Sequence, residues 1–543
     1  MNLRFASLFT LGVLSSFIFF IILLASYVAG FINGYFLIIA TIVINIILWL
    51  VSPYVSTWIY KWLYKAKFYK VNELENKKFA AFLTKICQDN NLKVPLIGLI
   101  PDDNPTAFTF GSGAFNARVV VTEGLFKYLT QEEVEAVVAH EVGHIKHRDF
   151  IVMSIASTML QILYELYFIL VRSGSKNSSS KKSGNYLALI GIGAFVLYIV
   201  GQYVVLYLSR VREYYADEFA ARYTKKPDVM SSALIKVAYG IMATEDDRKA
   251  KRLLESTKTL GVMDYKGAKD LSLIHATFKD RFELLEQALL FDIVSPWAKI
   301  LELKSTHPLV GKRIKRLSSI ARSINVSTIY DFEKIKRKKV DKAKLYHGFF
   351  RDVSIYFLPF LLSIVGVITP ILLSLPWPTF IFGGIIGLGL GSLSKTMYAY
   401  PNTKATNETI LSTMTDVYAS PLRGRPVSYT GKVIGRGIPG FIFSEDMMFQ
   451  DKTGLMFLNY ESFIPFFGNL FFAWKRAKGL QNVPSKATGW FLRGATHHLE
   501  LKELSTSTDR IKSSIKFWKM FGSILLLLIG TGGFFIFSSI LVL

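Results

Sequence analysis

His140, Glu141 and His144 form His-Glu-Val-Gly-His within Thr130–Asp149, TQEEVEAVVAHEVGHIKHRD. On a helix, positions four apart share a face, so the two imidazoles can hold one Zn²⁺ between them. Such a site lowers the pKa of a water held by the metal toward neutrality. Glu141, beside that water, can take its proton as general base. The competing reading is a coincidental pattern on a surface helix. With His at only 8 of 543 positions, coincidence supplies such a match on the order of once in a hundred chains of ordinary composition.

Two imidazoles need a third ligand. Glu213 and Asp217 stand four apart in Ser209–Tyr223, SRVREYYADEFAARY. Glu213 is the candidate ligand, and Asp217 the candidate acceptor that orients a ligand imidazole. By spacing alone, a solvated charged face with Arg210, Arg212 and Arg222 fits this stretch better. His147 is a rival ligand one turn further along the first helix, although three ligands from one straight helix converge poorly on a tetrahedral ion.

The elements that must position these groups are legible around them. Thr130 can cap the motif helix while Glu133 reaches back to it. Val134, Val137, Val138 and Ile145 give that helix an apolar stripe. Upstream, Asn76–Asn90 reads as a helix with Phe79, Phe82, Leu83 and Ile86 inward. Leu96–Ile100, Ala107–Phe110 and Arg118–Thr122 read as short strands, the last two a hairpin across the turn-rich GSGAFNA. An extended peptide could pair with a free edge at Ala107, Phe108, Thr109 and Phe110. An ordinary structural hairpin fits that pattern equally well.

The composition is that of a membrane protein: 51% hydrophobic residues, net charge +24 and mean hydropathy +0.34. A charge of that sign can mark nucleic-acid binding, but basic loops kept on the cytoplasmic side explain it in a membrane protein. Cys87 is the sole cysteine, which excludes an intrachain disulfide and a cysteine-based metal cluster. No removable signal peptide is expected, since the first apolar run is too long. Apolar runs at Leu8–Val28 and Gly34–Val51 are followed by Lys61, Lys65, Lys67 and Lys70 among aromatics. That pattern puts the chain from Val71 onward on the cytoplasmic side. Further runs lie at Ile151–Val171, Tyr186–Leu208, Ile355–Leu375, Thr379–Leu393 and Phe521–Leu543. Seven spans with the N-terminus inside leave the C-terminus outside. Between the third and fourth runs, RSGSKNSSSKKSGN reads as a disordered loop whose cations oppose the positive-inside trend. Glu165, within a run, is expected to face protein or a wet cavity.

His-Glu-x-x-His, an apolar hairpin and then Glu-x-x-x-Asp after Ser209-Arg210-Val211-Arg212 resemble the M48 peptidases. The pattern is most similar to the HtpX-type membrane proteases and more distantly to the CAAX prenyl protease Ste24. The resemblance covers roughly residues 1–325 and implies zinc ligands at His140, His144 and Glu213, with Glu141 as general base. It also implies that His307 and Arg313, in Ser305-Thr306-His307-Pro308 and just beyond, line the site. His307 would donate to the developing oxyanion. The chain departs from the family where Thr106, rather than Asn, precedes Ala107-Phe108, with Asn104 two positions earlier. Asp246–Lys269 is expected to include a loop over the site.

Beyond the resemblance, residues 400–508 turn to β character. PVSYTGKVIGRG, MMFQDKTGLMFLNY and ATGWFLRGATHHLELKEL alternate between glycine turns, and Asp451-Lys452-Thr453-Gly454 is a tight turn. About five strands in this length make a small OB-like barrel. Arg436, Lys475, Arg476 and Arg493 with Trp474 and Trp490 could serve single-stranded nucleic acid. Tethering between spans favours substrate docking or regulation instead. His497-His498 reads as strand surface rather than a second metal site.

The expected architecture is an α-helical multi-pass membrane protein with an α+β zincin-like (gluzincin) catalytic domain and a small C-terminal β-barrel. Its parts are a hairpin at 1–60, a peptidase domain at 61–350 interrupted by a hairpin at 151–208, a hairpin at 351–396, the barrel at 400–508 and a span at 519–543. The expected function is a zinc endopeptidase of the cell membrane, its site on the cytoplasmic face. By resemblance its substrates are misfolded membrane proteins. A protease of prenylated C-termini and a non-catalytic scaffold are the alternatives.

Overall fold

The computed structural model describes residues 17, 20, 21, 24, 34–176, 181–239, 284–330, 340–494 and 497–539. The chain divides into two compact units. The first comprises Met1–Pro101, Pro105–Ala233 and Ile300–Tyr330, and the second comprises Asp102–Asn104, Leu234–Lys299 and Asp331–Leu543. Among the described residues, six helices are long and apolar enough to cross a membrane. Most of the expected first run, Leu8–Val28, and all of Asp246–Lys269 lie outside the described residues.

In the first unit, helix α1 (Gly34–Leu63) runs past the expected end of its apolar stretch into the aromatic and basic residues that follow. Strands β1 (Lys67–Tyr69), β2 (Leu96–Ile100), β3 (Ala107–Phe110) and β4 (Arg118–Thr122) form a sheet in the order β1-β2-β4-β3. β2 and β4 are parallel, while β3 pairs antiparallel with β4 and forms an edge. Helix α2 (Lys77–Asp89) is capped by Asn76, which accepts from the Phe79 N–H, and buries Phe79, Leu83, Ile86 and Cys87.

Helix α3 (Gln131–Lys146) carries the histidine motif. Thr130 Oγ1 accepts from the Glu133 N–H and Glu133 accepts from the Thr130 N–H, so both caps of the box form. Two long helices follow, α4 (Asp149–Lys176) and α5 (Lys181–Thr224). They extend into the serine-rich stretch expected to be disordered, leaving only 177–180 outside the described residues there. At about 1.5 Å per residue, the 44 residues of α5 outrun a bilayer core. Its C-terminal turns thus leave the apolar stretch and reach α3. Gly143 makes the approach close: a Cβ there would lie 3.1 Å from Phe219 Cδ1 and 3.2 Å from Ala216 Cα. Helix α6 (Val310–Ser323) packs on the same end of α5.

In the second unit, α7 (Lys342–Leu372), α8 (Trp377–Ala399) and α9 (Ile515–Ser539) pack together. Gly383 abuts the Gly366 backbone, Gly387 abuts Leu362 and Gly389 abuts Leu527, so backbones approach where side chains would separate them. Between α8 and α9 come β5 (Thr406–Asn407), β6 (Arg425–Arg436), β7 (Met447–Gln450), β8 (Leu455–Asn459), β9 (Pro484–Arg493), β10 (His497–Thr506) and β11 (Arg510–Lys512). Five of them close in the order β6-β7-β8-β10-β9-β6, with β8 and β10 parallel. The β7–β8 turn is held by Asp451, whose Oδ1 accepts from the N–H groups of Thr453 at 2.6 Å and Gly454 at 2.8 Å. Tyr429, Phe449, Met456, Leu458 and Phe491 fill the interior.

Candidate active site

The buried face of α3 presents His140 and His144 to the end of α5. Their Nε2 atoms are 3.2 Å apart. Glu213 offers Oε2 3.5 Å from His140 Nε2 and Oε1 3.5 Å from His144 Nε2. Donors about 2.0–2.1 Å from a tetrahedral zinc stand about 3.3–3.4 Å from one another, close to the spacing of each histidine from its nearer Glu213 oxygen, and the three groups could hold one ion. Charge makes the same case. Of the four carboxylates buried here, Asp149 pairs with Arg212 and Asp217 with Arg313, while Glu141 and Glu213 remain. A divalent cation would balance the remainder. The Glu213 Oε2 atom also lacks a hydrogen-bond donor, although Arg313 NH1 lies 3.3 Å away. Burial opposes protonation of His140, yet the Asp217 and Glu213 carboxylates outweigh it and push the imidazole up to about 10. For His144, too, burial is outweighed, chiefly by Asp149, and the pKa is raised. A metal would take the place of those protons.

Carboxylates back each histidine. Asp217 Oδ1 lies 3.0 Å from His140 Nδ1, off the line of an ideal hydrogen bond. Asp149 Oδ2 lies 2.6 Å from His144 Nδ1. A proton on each Nδ1 leaves the Nε2 lone pairs facing each other, as metal ligands require. The carboxylates are themselves held. Arg313 donates from Nε and NH2 to both oxygens of Asp217 at 2.8 and 2.6 Å, and Arg212 NH2 meets Asp149 Oδ1 at 2.5 Å. Arg210 donates to the carbonyls of Glu302 at 2.8 Å and Ser305 at 2.9 Å, which fixes the chain just before His307.

Glu141 is buried beside the histidines, and its Oε2 accepts from Thr109 Oγ1 on β3 at 2.5 Å. The edge strand and the motif helix therefore meet at that glutamate. On the other face of β3, the rings of Phe108 and Phe110 lie 5.2 and 5.3 Å from Tyr60. Those two residues can meet a peptide through their backbone, but their side chains are committed to α1. His307 reaches the site from the outside: its Nε2 is 3.4 Å from Glu213 Oε1 and its side chain is 62% exposed. Thr306 Oγ1 lies 2.9 Å from its Nδ1.

Several expectations change. Arg210 and Arg212 are buried, at 8% and 2% exposure, so the end of α5 is not a solvated charged face. His147 caps the C-terminus of α3 and stands edge-on to Tyr215 and Phe219, away from the cluster. Asp149 and the Thr109–Glu141 bond were missed. The only sequence signal for Asp149 is its place at the end of the motif helix in KHRD. In the barrel, Arg436, Trp490 and Arg493 are buried. Arg493 donates to the carbonyls of Met414 and Ala288, and Trp490 Nε1 to that of Pro401. These three do not offer themselves to nucleic acid. His497 is likewise not strand surface: it is buried, and burial pushes its pKa down to about 3.

Comparison with known proteins agrees with this geometry. The model of peptidase family M48 matches residues 73–321. A protease HtpX homolog of Methanothermobacter thermautotrophicus is 33% identical over 178 residues, 33% of this chain and 66% of that protein. Protease HtpX homolog 2 of Methanosarcina mazei is 30% identical over 260 residues, 47% of this chain and 76% of that one. Among solved structures, the crystal structure of S. mikatae Ste24p covers 58% of this chain and 65% of its own, at 17% identity and a TM-score of 0.33. That likeness is too slight to bear on the fold. With its motif helix, its two-histidine and glutamate cluster and relatives matched over three quarters of their length, the chain belongs to peptidase family M48.

Proposed function

We propose that the protein is a zinc-dependent endopeptidase of the cell membrane that cuts membrane proteins at segments exposed on the cytoplasmic face. The observation that carries this reading is the convergence of His140, His144 and Glu213 at the spacing of one tetrahedral ion, with Glu141 alongside. When bound, zinc supplies Lewis acidity, polarising a scissile carbonyl and making water acidic enough to attack near neutral pH. Glu141 takes the proton of the attacking water and returns it to the leaving nitrogen. The Thr109 hydroxyl occupies Oε2, so Oε1 is the oxygen free to move that proton. His307 stands at the exposed rim, where its Nε2–H can donate to the developing oxyanion. Arg313 acts through its partners: with its guanidinium on Asp217 and beside Glu213, it positions the ligands. An extended substrate adds as a strand to the free edge of β3, which runs past Glu141.

Lys61, Lys65, Lys67 and Lys70 after α1 support a cytoplasmic site by the positive-inside rule. Misfolded membrane proteins, in quality control, are the substrate class that fits a site so close to the spans. The barrel, read as OB-like, serves docking or regulation. Cleavage of casein by the purified protein in detergent tests the reading, with wild type compared against Glu141→Gln and zinc content measured in both. Loss of cleavage by at least about a hundredfold with zinc retained is the expected result. Equal cleavage by both proteins would remove Glu141 from the chemistry.

A further inference from the structure

Between β8 and β9 the barrel carries the segment 461–476, ESFIPFFGNLFFAWKR, most of whose large apolar side chains are exposed. Phe463, Ile464, Phe466, Phe467, Phe471 and Trp474 are 51–72% exposed. Large aromatic side chains bury about 150–250 Å² each, so the five aromatics at this exposure present on the order of 650 Å². The largest apolar patch of a typical soluble monomer is about 300–600 Å². This segment is ordered all the same. Phe472 is buried and stacks on Tyr460, 4.1 Å between ring centroids. Asn469 Nδ2 donates to Glu461 Oε1 at 3.0 Å, and Asn469 Oδ1 accepts from the Ser462 N–H at 2.8 Å. Phe466 takes φ 62° and ψ −70°, and the Phe467 N–H donates to the Pro465 carbonyl at 2.8 Å. That γ-turn is uncommon for a bulky residue and carries strain. It leaves the Phe466 ring 72% exposed.

What covers the patch follows from what it is joined to. The segment begins against the first turn of α9, the membrane-span candidate Ile515–Ser539. The Ser514 N–H donates to the Glu461 carbonyl at 2.7 Å, and Trp518 Nε1 donates to the Ser462 carbonyl at 3.2 Å. The Phe463 ring stands 5.4 Å from that of Phe517 and 6.2 Å from that of Trp518. The segment thus starts level with the first turn of α9, where a span candidate begins and where aromatic side chains gather in membrane proteins. Its far end is cationic. Lys475, Arg476 and Lys478 are exposed, and Lys475 Nζ lies 5.0 Å from the Phe471 ring centroid and 5.7 Å from that of Trp474. An aromatic patch rimmed by cations suits acyl chains under anionic headgroups, with the cations reaching up to the phosphates.

We propose that segment 461–476 is an in-plane membrane anchor, which inserts Phe463, Phe466, Phe467, Phe471 and Trp474 into the bilayer interface beside α9 and holds the barrel against the membrane. It is independent of the metal site and of peptidase activity.

The test uses the full chain with Cys87→Ala, reconstituted in vesicles of phosphatidylcholine and phosphatidylglycerol, with a nitroxide at Phe467→Cys, Phe471→Cys or Trp474→Cys. A label at Lys452→Cys, the exposed residue of the β7–β8 turn, is the aqueous reference. Collision rates with oxygen and with a water-soluble nickel chelate are read by power saturation. Labels at 467, 471 and 474 are expected to favour oxygen over nickel several-fold more than the label at 452. Their depth is expected to be about 5–10 Å below the headgroups. Nickel access equal to that at 452 overturns the proposal, because the patch is then in water. Shielding from both reagents also overturns it, because a protein surface then covers the patch.

Discussion

Asp149→Asn tests whether the groups behind the histidines tune the proposed metal site. Oδ2 lies 2.6 Å from His144 Nδ1, and Oδ1 lies 2.5 Å from Arg212 NH2 as an ion pair off the line of a hydrogen bond. An amide in this place can accept from one of them only, and its NH₂ then faces the other donor. If the carbonyl keeps Arg212, the imidazole loses the acceptor that holds its proton on Nδ1, and Nε2 is a poorer ligand. If it keeps His144, the NH₂ opposes a guanidinium that is 2% exposed. Substitution of such partners lowers metal affinity by about 10–100-fold, or about 1.4–2.7 kcal/mol at 1.36 kcal/mol per factor of ten. The zinc-free protein also loses about 1–3 kcal/mol for the unsatisfied buried group. Competition against a chromophoric chelator in detergent measures the first quantity, and thermal unfolding of the zinc-free protein the second. A zinc Kd unchanged within about twofold, on a fold that still melts cooperatively, would show that Asp149 does not orient the ligand.

Other sites make separate demands. Gly143→Val should weaken zinc binding, because even a Cβ would sit 3.1–3.2 Å from Phe219 and Ala216 and metal sites tolerate only about 0.2 Å of displacement; unchanged affinity in the same competition assay refutes the close-approach argument. Burial pushes Asp446 in the barrel up from its usual 3.8 to about 7. The folded state therefore binds the proton more tightly, so this stability is complete below the unfolded value and is lost as pH rises through about 7. Asp446→Asn should flatten that decline in melting temperature, and a decline of equal size in the variant assigns it elsewhere. Gly383→Leu puts a side chain into the Gly366 backbone and should separate α7 from α8. A disulfide trap between introduced cysteines at Val367 and Gly384, which pack together, should form in the parent and fail in the variant.

Local chemistry was enough to read the motif helix and its neighbours. Thr130 and Glu133 define the start of α3, alternation and turn residues bound β2, β3 and β4 at the observed residues, and Asp451-Lys452-Thr453-Gly454 closes the β7–β8 turn. These features depend on interactions within a few residues, and so do the apolar runs, since crossing a bilayer is a property of one segment. The pairing of His140 and His144 follows from helical periodicity alone.

Partners distant in sequence were decided by packing. Glu213 and Asp217 read by spacing as a solvated face, and only the approach of α5 across Gly143 turns them toward the histidines. Arg212 joined the site with α5 and Thr109 through β3, whereas Asp149 stands only five residues beyond His144. Arg493, a surface cation by type, is 1% exposed because Met414 and Ala288, both outside the barrel strands, give it backbone carbonyls to hold. The aromatic run 463–474, which looks like core in one dimension, lies outside the barrel because β8 and β9 leave its interior already filled. Sequence determines which residues can share a helix face, a turn or a bilayer; tertiary structure decides which charges are buried together, since that depends on how closely two backbones can approach.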